Sequence, residues 1–212
     1  MQTLHAADLL IAVPGTAPVP GGAVVVDGGT VAALGPYEEL TAAYPRARVR
    51  RWPGVLTPGL AQRRAAALLT RAYHPDPREH AELGERPLTG DRLAALEMDD
   101  TRWSGSVRRG LQQMLRHGTT AVAGAFETPL LSTAVARSGL RVLPVAATPG
   151  EPDLDPLRGV ASLAAAVVSP LTVGGRADLA VFDVPDEAAL LERGAGTCVA
   201  TVLAGRLVHR RR

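Results

Sequence analysis

Segments typical of β-strands stand at both ends of this chain and flank a middle part in which helices and strands alternate. Seven short segments show the strand pattern: 8–12, 23–27, 30–34, 47–52, 177–183, 198–203 and 206–209. Asp27-Gly28-Gly29 predicts a tight hairpin turn between the second and third of them. A strand needs a partner to satisfy its backbone, so we expect strands from the two ends to pair in one small sheet domain.

The middle part follows a helical period between buried-type strands. In segment 106–115, Val107, Leu111 and Met114 share one helical face, and a second amphipathic helix is predicted over 130–137. Strands are predicted over 119–123 and 140–146, and a further helix over 155–168. Strand–helix–strand units of this kind imply parallel strands joined by right-handed crossovers.

Composition excludes several classes of protein. With 212 residues, of which 46% are hydrophobic, the chain can form a compact globular core. A net charge of +2 and only 3% aromatic residues are poor indications of nucleic-acid binding, and the basic tail 209–212 is expected to be a solvated terminus. No apolar run reaches 18 residues, so we expect neither a membrane span nor a signal peptide.

The chain contains a single cysteine, Cys198, within an apolar segment. One cysteine cannot form an internal disulfide, which fits a reducing compartment, and we expect a cytoplasmic protein. A buried structural thiol is favoured over a nucleophile because cysteine is among the most buried residue types.

Four segments together resemble the amidohydrolase superfamily of metal-dependent hydrolases, of the imidazolonepropionase and deaminase type. Segment 22–36 resembles the opening of the small composite β domain of that family, and 174–183 resembles its closing GxxADLVVxD segment. Segment 117–124 is similar to the HGTTTVxD junction between a helix and a strand, and Pro58-Gly59-Leu60 is similar to the turn before the His-x-His metal pair. The resemblance implies a composite β domain joined to a catalytic TIM-like barrel.

The chain departs from the family where the metal is bound. Arg64 and Ala66 occupy the positions of the two histidines, and a guanidinium has no lone pair to offer a metal ion. The sequence also has no lysine and no histidine between His117 and His209, so the later ligands of the family have no counterpart. We therefore expect neither the family metal site nor another cofactor.

The number of residues between the two sheet segments limits the size of any barrel. Residues 54–170 are fewer than half of the about 250 residues that an eight-unit barrel usually needs. The expected fold class is α/β: a small composite β-sandwich from both termini, over 1–53 together with 171–212, plus an incomplete, truncated TIM-like βα barrel layer over 54–170.

Six residues remain as candidates for a site. The stiff, polar stretch 73–80 supplies His74, Asp76 and His80, since imidazole and carboxylate together can bind zinc or transfer protons. Glu127 follows a predicted parallel strand, where functional groups collect in such folds. Arg63 and Arg64 are candidates for anion binding at the start of a helix. For each of the six, an ordered surface or structural role is the alternative.

Two hypotheses for function follow. The first is an amidohydrolase-like protein without the family metal site, non-catalytic or repurposed for oligomer, partner or small-ligand binding, in which a homodimer or a partner protein covers the open barrel edge. The alternative is a hydrolase acting on non-peptide carbon–nitrogen bonds with a relocated site at His74, Asp76, His80 and Glu127. Neither hypothesis involves nucleic acid or a membrane.

Overall fold

The computed structural model of the chain describes residues 2–145 and 147–211. The chain divides into two compact units. Unit 1 comprises Met1–Ala61, Leu115–Thr120 and Asp155–Arg212, and unit 2 comprises Gln62–Met114 and Ala121–Leu154. The fold is mixed α/β, with a large sheet in unit 1, which confirms the α/β prediction at this level.

The strands are β1 (Gln2–Leu10), β2 (Val19–Pro20), β3 (Gly22–Asp27), β4 (Thr30–Pro36), β5 (Arg48–Pro58), β6 (Leu60–Gln62), β7 (Thr119–Ala123), β8 (Arg141–Leu143), β9 (Leu179–Phe182), β10 (Cys198–Leu203) and β11 (Arg206–Arg210). The α-helices are α1 (Tyr37–Ala43), α2 (Ala65–Thr70), α3 (His80–Leu83), α4 (Gly90–Ala94), α5 (Asp100–Arg116), α6 (Pro129–Ser138), α7 (Leu163–Ala166) and α8 (Glu187–Arg193). Two 3-10 helices span Pro77–Glu79 and Ala195–Thr197.

Strands from both ends of the chain pair in one eight-stranded sheet, as the sequence predicts. The order is β11-β10-β9-β5-β1-β3-β4, and β2 pairs with β1. The joining strand is β5, which runs parallel to β1 and antiparallel to β9, with Val55 opposite Phe182 and Pro58 opposite Leu179. The predicted hairpin turn lies between β3 and β4, where Gly28 has a φ of 57°.

Alternating side chains of this sheet form the core of unit 1. One apolar cluster includes Val24, Leu56, Leu179 and Val202, so strands from both chain ends contribute to it. Cys198 lies in a second cluster and is buried, as expected. Burial raises the pKa of its thiol to about 11, so the thiol stays protonated at neutral pH.

A second sheet has three strands in the order β6-β7-β8. β7 and β8 are parallel, with Ala121 opposite Arg141 and Ala123 opposite Leu143. The helix between them, α6, is capped at its start by Thr128, whose side chain accepts a hydrogen bond from the Leu131 N–H at 3.3 Å. Gly139, in the left-handed conformation, caps its other end. This strand–helix–strand unit agrees with the predicted parallel crossover.

The predicted helix over 155–168 is wrong, since only Leu163–Ala166 is helical there. The Asp155 carboxylate instead accepts hydrogen bonds from the backbone N–H groups of Leu157 at 2.8 Å and Ala195 at 3.1 Å. These contacts, together with a φ of 75° at Gly159, favour a turn over a continuous helix.

Two other elements differ from their predicted lengths. The strand predicted over 140–146 spans only Arg141–Leu143, because Pro144 has no N–H to continue a ladder; Ala146 lies outside the described residues. In the basic tail, the strand continues through Arg210, and the Arg211 N–H donates to the Val199 carbonyl at 2.9 Å. Arg210 and Arg211 are exposed, which agrees with the expected solvation, and Arg212 lies outside the described residues. In the described part of the chain, no helix has the length and apolar character needed to cross a bilayer.

Substitution of Gly54 can test how closely β5 packs against the neighbouring backbone. Its φ is 73°, and an added Cβ would overlap the backbone of Phe182 and Val184. We expect Gly54→Ala to reduce the free energy of unfolding by about 3 kcal/mol through backbone strain and overpacking. Gly196→Ala is the matched control, since an added Cβ there has no neighbour within 4 Å, and it should change stability by less than about 0.5 kcal/mol. Equal stabilities of the two variants in urea unfolding would contradict this packing.

Candidate functional site

The stretch that contains His74, Asp76 and His80 is an ordered loop of unit 2. Its start is fixed by two backbone hydrogen bonds between Tyr73 and Leu88, at 2.9 and 2.8 Å. The Asp76 side chain then caps the 3-10 helix Pro77–Glu79 by accepting from the Arg78 N–H at 3.1 Å. In return, the Asp76 N–H donates to Glu79 Oε2 at 2.8 Å. This reciprocal capping box sets the direction of both carboxylates.

His74 is completely buried, and every polar group of the residue is engaged. Its Nε2 lies 3.0 Å from the Leu68 carbonyl oxygen, and its Nδ1 lies 2.7 Å from Oε1 of Gln113. Burial lowers the pKa of His74 below its usual value, and the charge of Arg109 lowers it further, so the neutral ring is favoured. A carbonyl only accepts, so the neutral ring donates from Nε2 to Leu68. Its Nδ1 can then only accept, which requires the side-chain amide of Gln113 to present its nitrogen to the ring in the place of Oε1.

The two carboxylates of the loop are paired with guanidinium groups. Arg102 Nη2 lies 2.7 Å from Glu79 Oε1, and Arg109 Nη1 lies 3.2 Å from Asp76 Oδ2. Burial alone would raise the pKa of Glu79, but hydrogen bonding from Tyr73 and the neighbouring Arg102 lower it overall. Glu79 is therefore ionised at neutral pH and held by a cation.

Tyr73 lies at the centre of this arrangement. Its hydroxyl donates a short hydrogen bond to Glu79 and accepts one from Nε of Arg102 at 3.2 Å. The guanidinium of Arg102 also lies 4.9 Å from the centre of the Tyr73 ring. Burial raises the pKa of the Tyr73 phenol, so it remains protonated and acts as a donor. We refer to Tyr73, His74, Asp76, Glu79, Arg102 and Arg109 as the polar cluster.

One face of α5 supplies the partners of the loop. Arg102, Ser106, Arg109 and Gln113 follow one another at intervals of four, three and four residues, which places them in line along a helix. Ser106 Oγ accepts from the His74 N–H at 2.9 Å, and Nε of Arg109 donates to the His74 carbonyl at 2.7 Å. Sequence reasoning missed these residues, although their spacing was the available signal.

The other predicted site residues do not join the polar cluster. The nearest charged partner of the His80 ring is Glu85, with 3.9 Å between Nδ1 and Oε1. Glu127 is exposed, and within the described residues no hydrogen bond or ion pair links its side chain to the loop. The structure thus groups His74 and Asp76 and leaves His80 and Glu127 apart from them.

Arg63 and Arg64 precede the six-residue helix α2. The Arg63 carbonyl accepts from the Thr148 N–H at 2.9 Å, and the Arg64 N–H donates to Gln62 Oε1 at 3.0 Å. Gln62 in turn donates from Nε2 to the carbonyls of Asp153 and Leu154 at 3.0 and 3.2 Å. The main chain at this turn is therefore fixed, and anion binding by the two arginines stays a prediction.

The donor set of the polar cluster does not fit a metal ion. Over 2–145 and 147–211, no three histidine, cysteine, aspartate or glutamate side chains converge as metal ligands would. In the cluster itself, both carboxylates face guanidinium groups, and both nitrogens of His74 are engaged. A cation placed there would meet the positive charges of Arg102 and Arg109.

Gly110 of α5 offers a test of this packing. A Cβ added there would lie 2.6 Å from Nε2 of His74 in the buried interior. One added to Gly105 would lie 2.9 Å from Nη1 of Arg109, the end of a long side chain that can shift by a few tenths of an ångström and keep its ion pair with the partly exposed Asp76. Replacing glycine with alanine inside a helix increases the free energy of unfolding by about 1 kcal/mol through helix propensity alone. We expect Gly105→Ala to be neutral or stabilising and Gly110→Ala to lose about 2 kcal/mol, since displaced His74 leaves buried polar groups unpaired. Thermal and urea unfolding of the two variants measures the difference, and a stabilised Gly110→Ala would contradict the burial of His74.

Comparisons with known proteins match the resemblance seen in the sequence. Residues 22–47, which include β3, β4 and α1, match the model of the bacterial imidazolonepropionase-like composite domain. No curated protein matches the chain.

Similar solved structures include Aspergillus niger ochratoxinase, with 21% identity, a TM-score of 0.42 and coverage of 66% of this chain and 30% of that one. Guanine deaminase of Escherichia coli has 18% identity, a TM-score of 0.42 and coverage of 73% and 38%. A zinc-bound adenosine deaminase of Xanthomonas campestris has 21% identity, a TM-score of 0.39 and coverage of 66% and 33%. This chain therefore spans about a third of the length of each.

The match over 22–47 falls on the opening sheet segment that the sequence indicated, and it confirms that resemblance. Over residues 22–47, the chain thus resembles the bacterial imidazolonepropionase-like composite domain, through its N-terminal strands β3 and β4 and the helix α1.

Proposed function

We propose that this chain is a non-catalytic, amidohydrolase-like protein that acts by binding, with 54–170 as an incomplete TIM-like βα layer. The observation that carries the proposal is the closed polar cluster of unit 2. Its histidine and carboxylates, which a hydrolase would use on substrate or metal, are instead bound to groups of the same unit.

The cost of releasing these groups supports a structural role. Withdrawing one partner from a buried polar group costs about 1–3 kcal/mol, and more for a charged one. His74 would have to leave both Leu68 and Gln113 before either ring nitrogen could reach a ligand. Tyr73 is also buried, so a substrate would have to displace the loop to reach its hydroxyl.

The binding role is proposed for the outer edge of β8. β8 is an edge strand of the three-stranded sheet. In the part of the chain that the structure describes, one of its two edges therefore has no neighbouring strand. Val142, in β8, is 50% exposed, and Val145, two residues after the strand, is 47% exposed. Free strand edges with apolar side chains favour association. A second copy of the chain related by a two-fold axis would pair its own β8 there in antiparallel fashion.

A carbon–nitrogen hydrolase with a relocated site remains the second candidate. One observation favours it: the Asp76 side chain is 41% exposed, so one carboxylate of the polar cluster reaches solvent. This proposal needs His80 and Glu127 to move towards Asp76 on substrate binding, because neither lies in the cluster.

Light scattering coupled to size-exclusion chromatography tests the binding proposal. We expect the full chain to have double its 22.1 kDa mass and Val142→Lys to return it to the monomer, since a charged side chain at the edge opposes pairing. Val173→Lys changes another exposed valine, which lies in a loop of unit 1, and should leave the dimer intact. A monomeric wild-type chain at high concentration, or dimers of all three proteins, would contradict the β8 interface.

A further inference from the structure

Three arginines of unit 1 lie on the face of the large sheet that carries Trp52. Arg48, Arg50 and Trp52 occupy alternate positions of β5, so their side chains leave the same face of the strand. From β11, the guanidinium of Arg210 lies 5.7 Å from the centre of the Trp52 ring. We refer to Arg48, Arg50 and Arg210 as the arginine patch.

The side chains of Trp52 and His5 contact one another next to this patch. Their rings are nearly parallel, at 8° with centres 6.1 Å apart, and Nε1 of Trp52 donates to Nδ1 of His5 at 3.2 Å. Burial lowers the pKa of His5 to about 4, with a further contribution from Arg50, so the ring stays neutral and continues to accept this hydrogen bond at neutral pH. The His5–Trp52 pair therefore adds no charge of its own, and its hydrogen bond holds the Trp52 ring in place.

The arginine patch carries three positive charges that are unpaired in the part of the chain that the structure describes. In the residues that the structure describes, none of the three guanidiniums forms an ion pair with a carboxylate. Burial lowers the pKa of Arg50, and the nearby charges of Arg48 and Arg210 lower it further. Arg102, Arg109 and Arg176, in contrast, each pair with a carboxylate. Three neighbouring positive charges that no described carboxylate pairs with attract anions from solution.

We propose that Arg48, Arg50 and Arg210 form a binding site for a soluble, phosphate-bearing anion. Guanidinium groups present forked donors that match phosphate oxygens, and a multiply charged group relieves the mutual repulsion of all three at once. Trp52 is only 8% exposed, so its ring is not available to stack on a nucleobase, and this favours a small phosphate compound over a nucleic acid. The proposal concerns unit 1 and is independent of the β8 interface.

Calorimetric titration of the full chain with pyrophosphate at low salt tests the site. We expect binding that weakens as salt is added and that drops about tenfold in Arg50→Gln, because one charge-assisted hydrogen-bonding group is lost. Arg50→Lys should retain more affinity than Arg50→Gln, since it keeps the charge but not the fork. Arg193→Gln removes the same charge from an exposed position on α8 and should change affinity less than about twofold.

The control measurements keep the result interpretable. Circular dichroism melting checks that each variant is folded, and Arg48→Gln, at an exposed position, repeats the test if Arg50→Gln is unstable. Sedimentation with phosphatidylglycerol vesicles separates a free phosphate from a lipid headgroup. Absence of pyrophosphate binding, equal losses in Arg50→Gln and Arg193→Gln, or binding to vesicles alone would each overturn the proposal.

Discussion

The ion pairs between α5 and the Tyr73–Glu79 loop hold the polar cluster of unit 2 in place. Arg102 and Arg109 neutralise Glu79 and Asp76, and the same helix face supplies the hydrogen bonds that bury His74. Buried or half-buried charges are stable only when they are paired, so loop and helix fix one another. The groups that look reactive in the sequence are therefore the groups that order this part of the chain.

Unit 1 depends on a different constraint, the position of β5 between strands from the two ends of the chain. β5 pairs with β1 on one side and β9 on the other, and Gly54 allows the backbone of Phe182 and Val184 to approach it. The arginine patch follows from the same strand, because side chains at alternate positions share a face. One strand thus joins the chain ends and also concentrates positive charge on one surface.

Much of the fold could be predicted from the sequence because it rests on local signals. Segments rich in strand-forming residues indicated the strands, Gly28 and Gly29 marked a hairpin, and Gly139 marked the end of α6. The helix predicted over 155–168 failed because the Asp155 carboxylate binds the backbone of Leu157 and Ala195, and the second contact is forty residues away. Such long-range hydrogen bonds leave no periodic trace in the sequence.

The site was harder to predict because its partners lie far apart along the chain. The sequence drew attention to His74 and Asp76, which do belong to the polar cluster, but it also grouped them with His80 and Glu127. The residues that the sequence did not indicate form a polar stripe on α5. The helix was assigned from the spacing of Val107, Leu111 and Met114, and that apolar pattern gives no information on the polar face. A search for polar residues at intervals of four and three would have indicated Arg102 and Arg109 as partners.

His74 is a structural group whose two ring nitrogens are both engaged within unit 2. Nitrogen NMR of the histidine side chains in the full chain, recorded without and with excess Zn²⁺, tests this role most directly. We expect the His74 ring to give the signals of a neutral, singly protonated imidazole, and we expect zinc to leave these signals unchanged. Zinc-induced shifts of the His74 nitrogens at a one-to-one ratio would show that His74 can bind metal and would contradict its structural role.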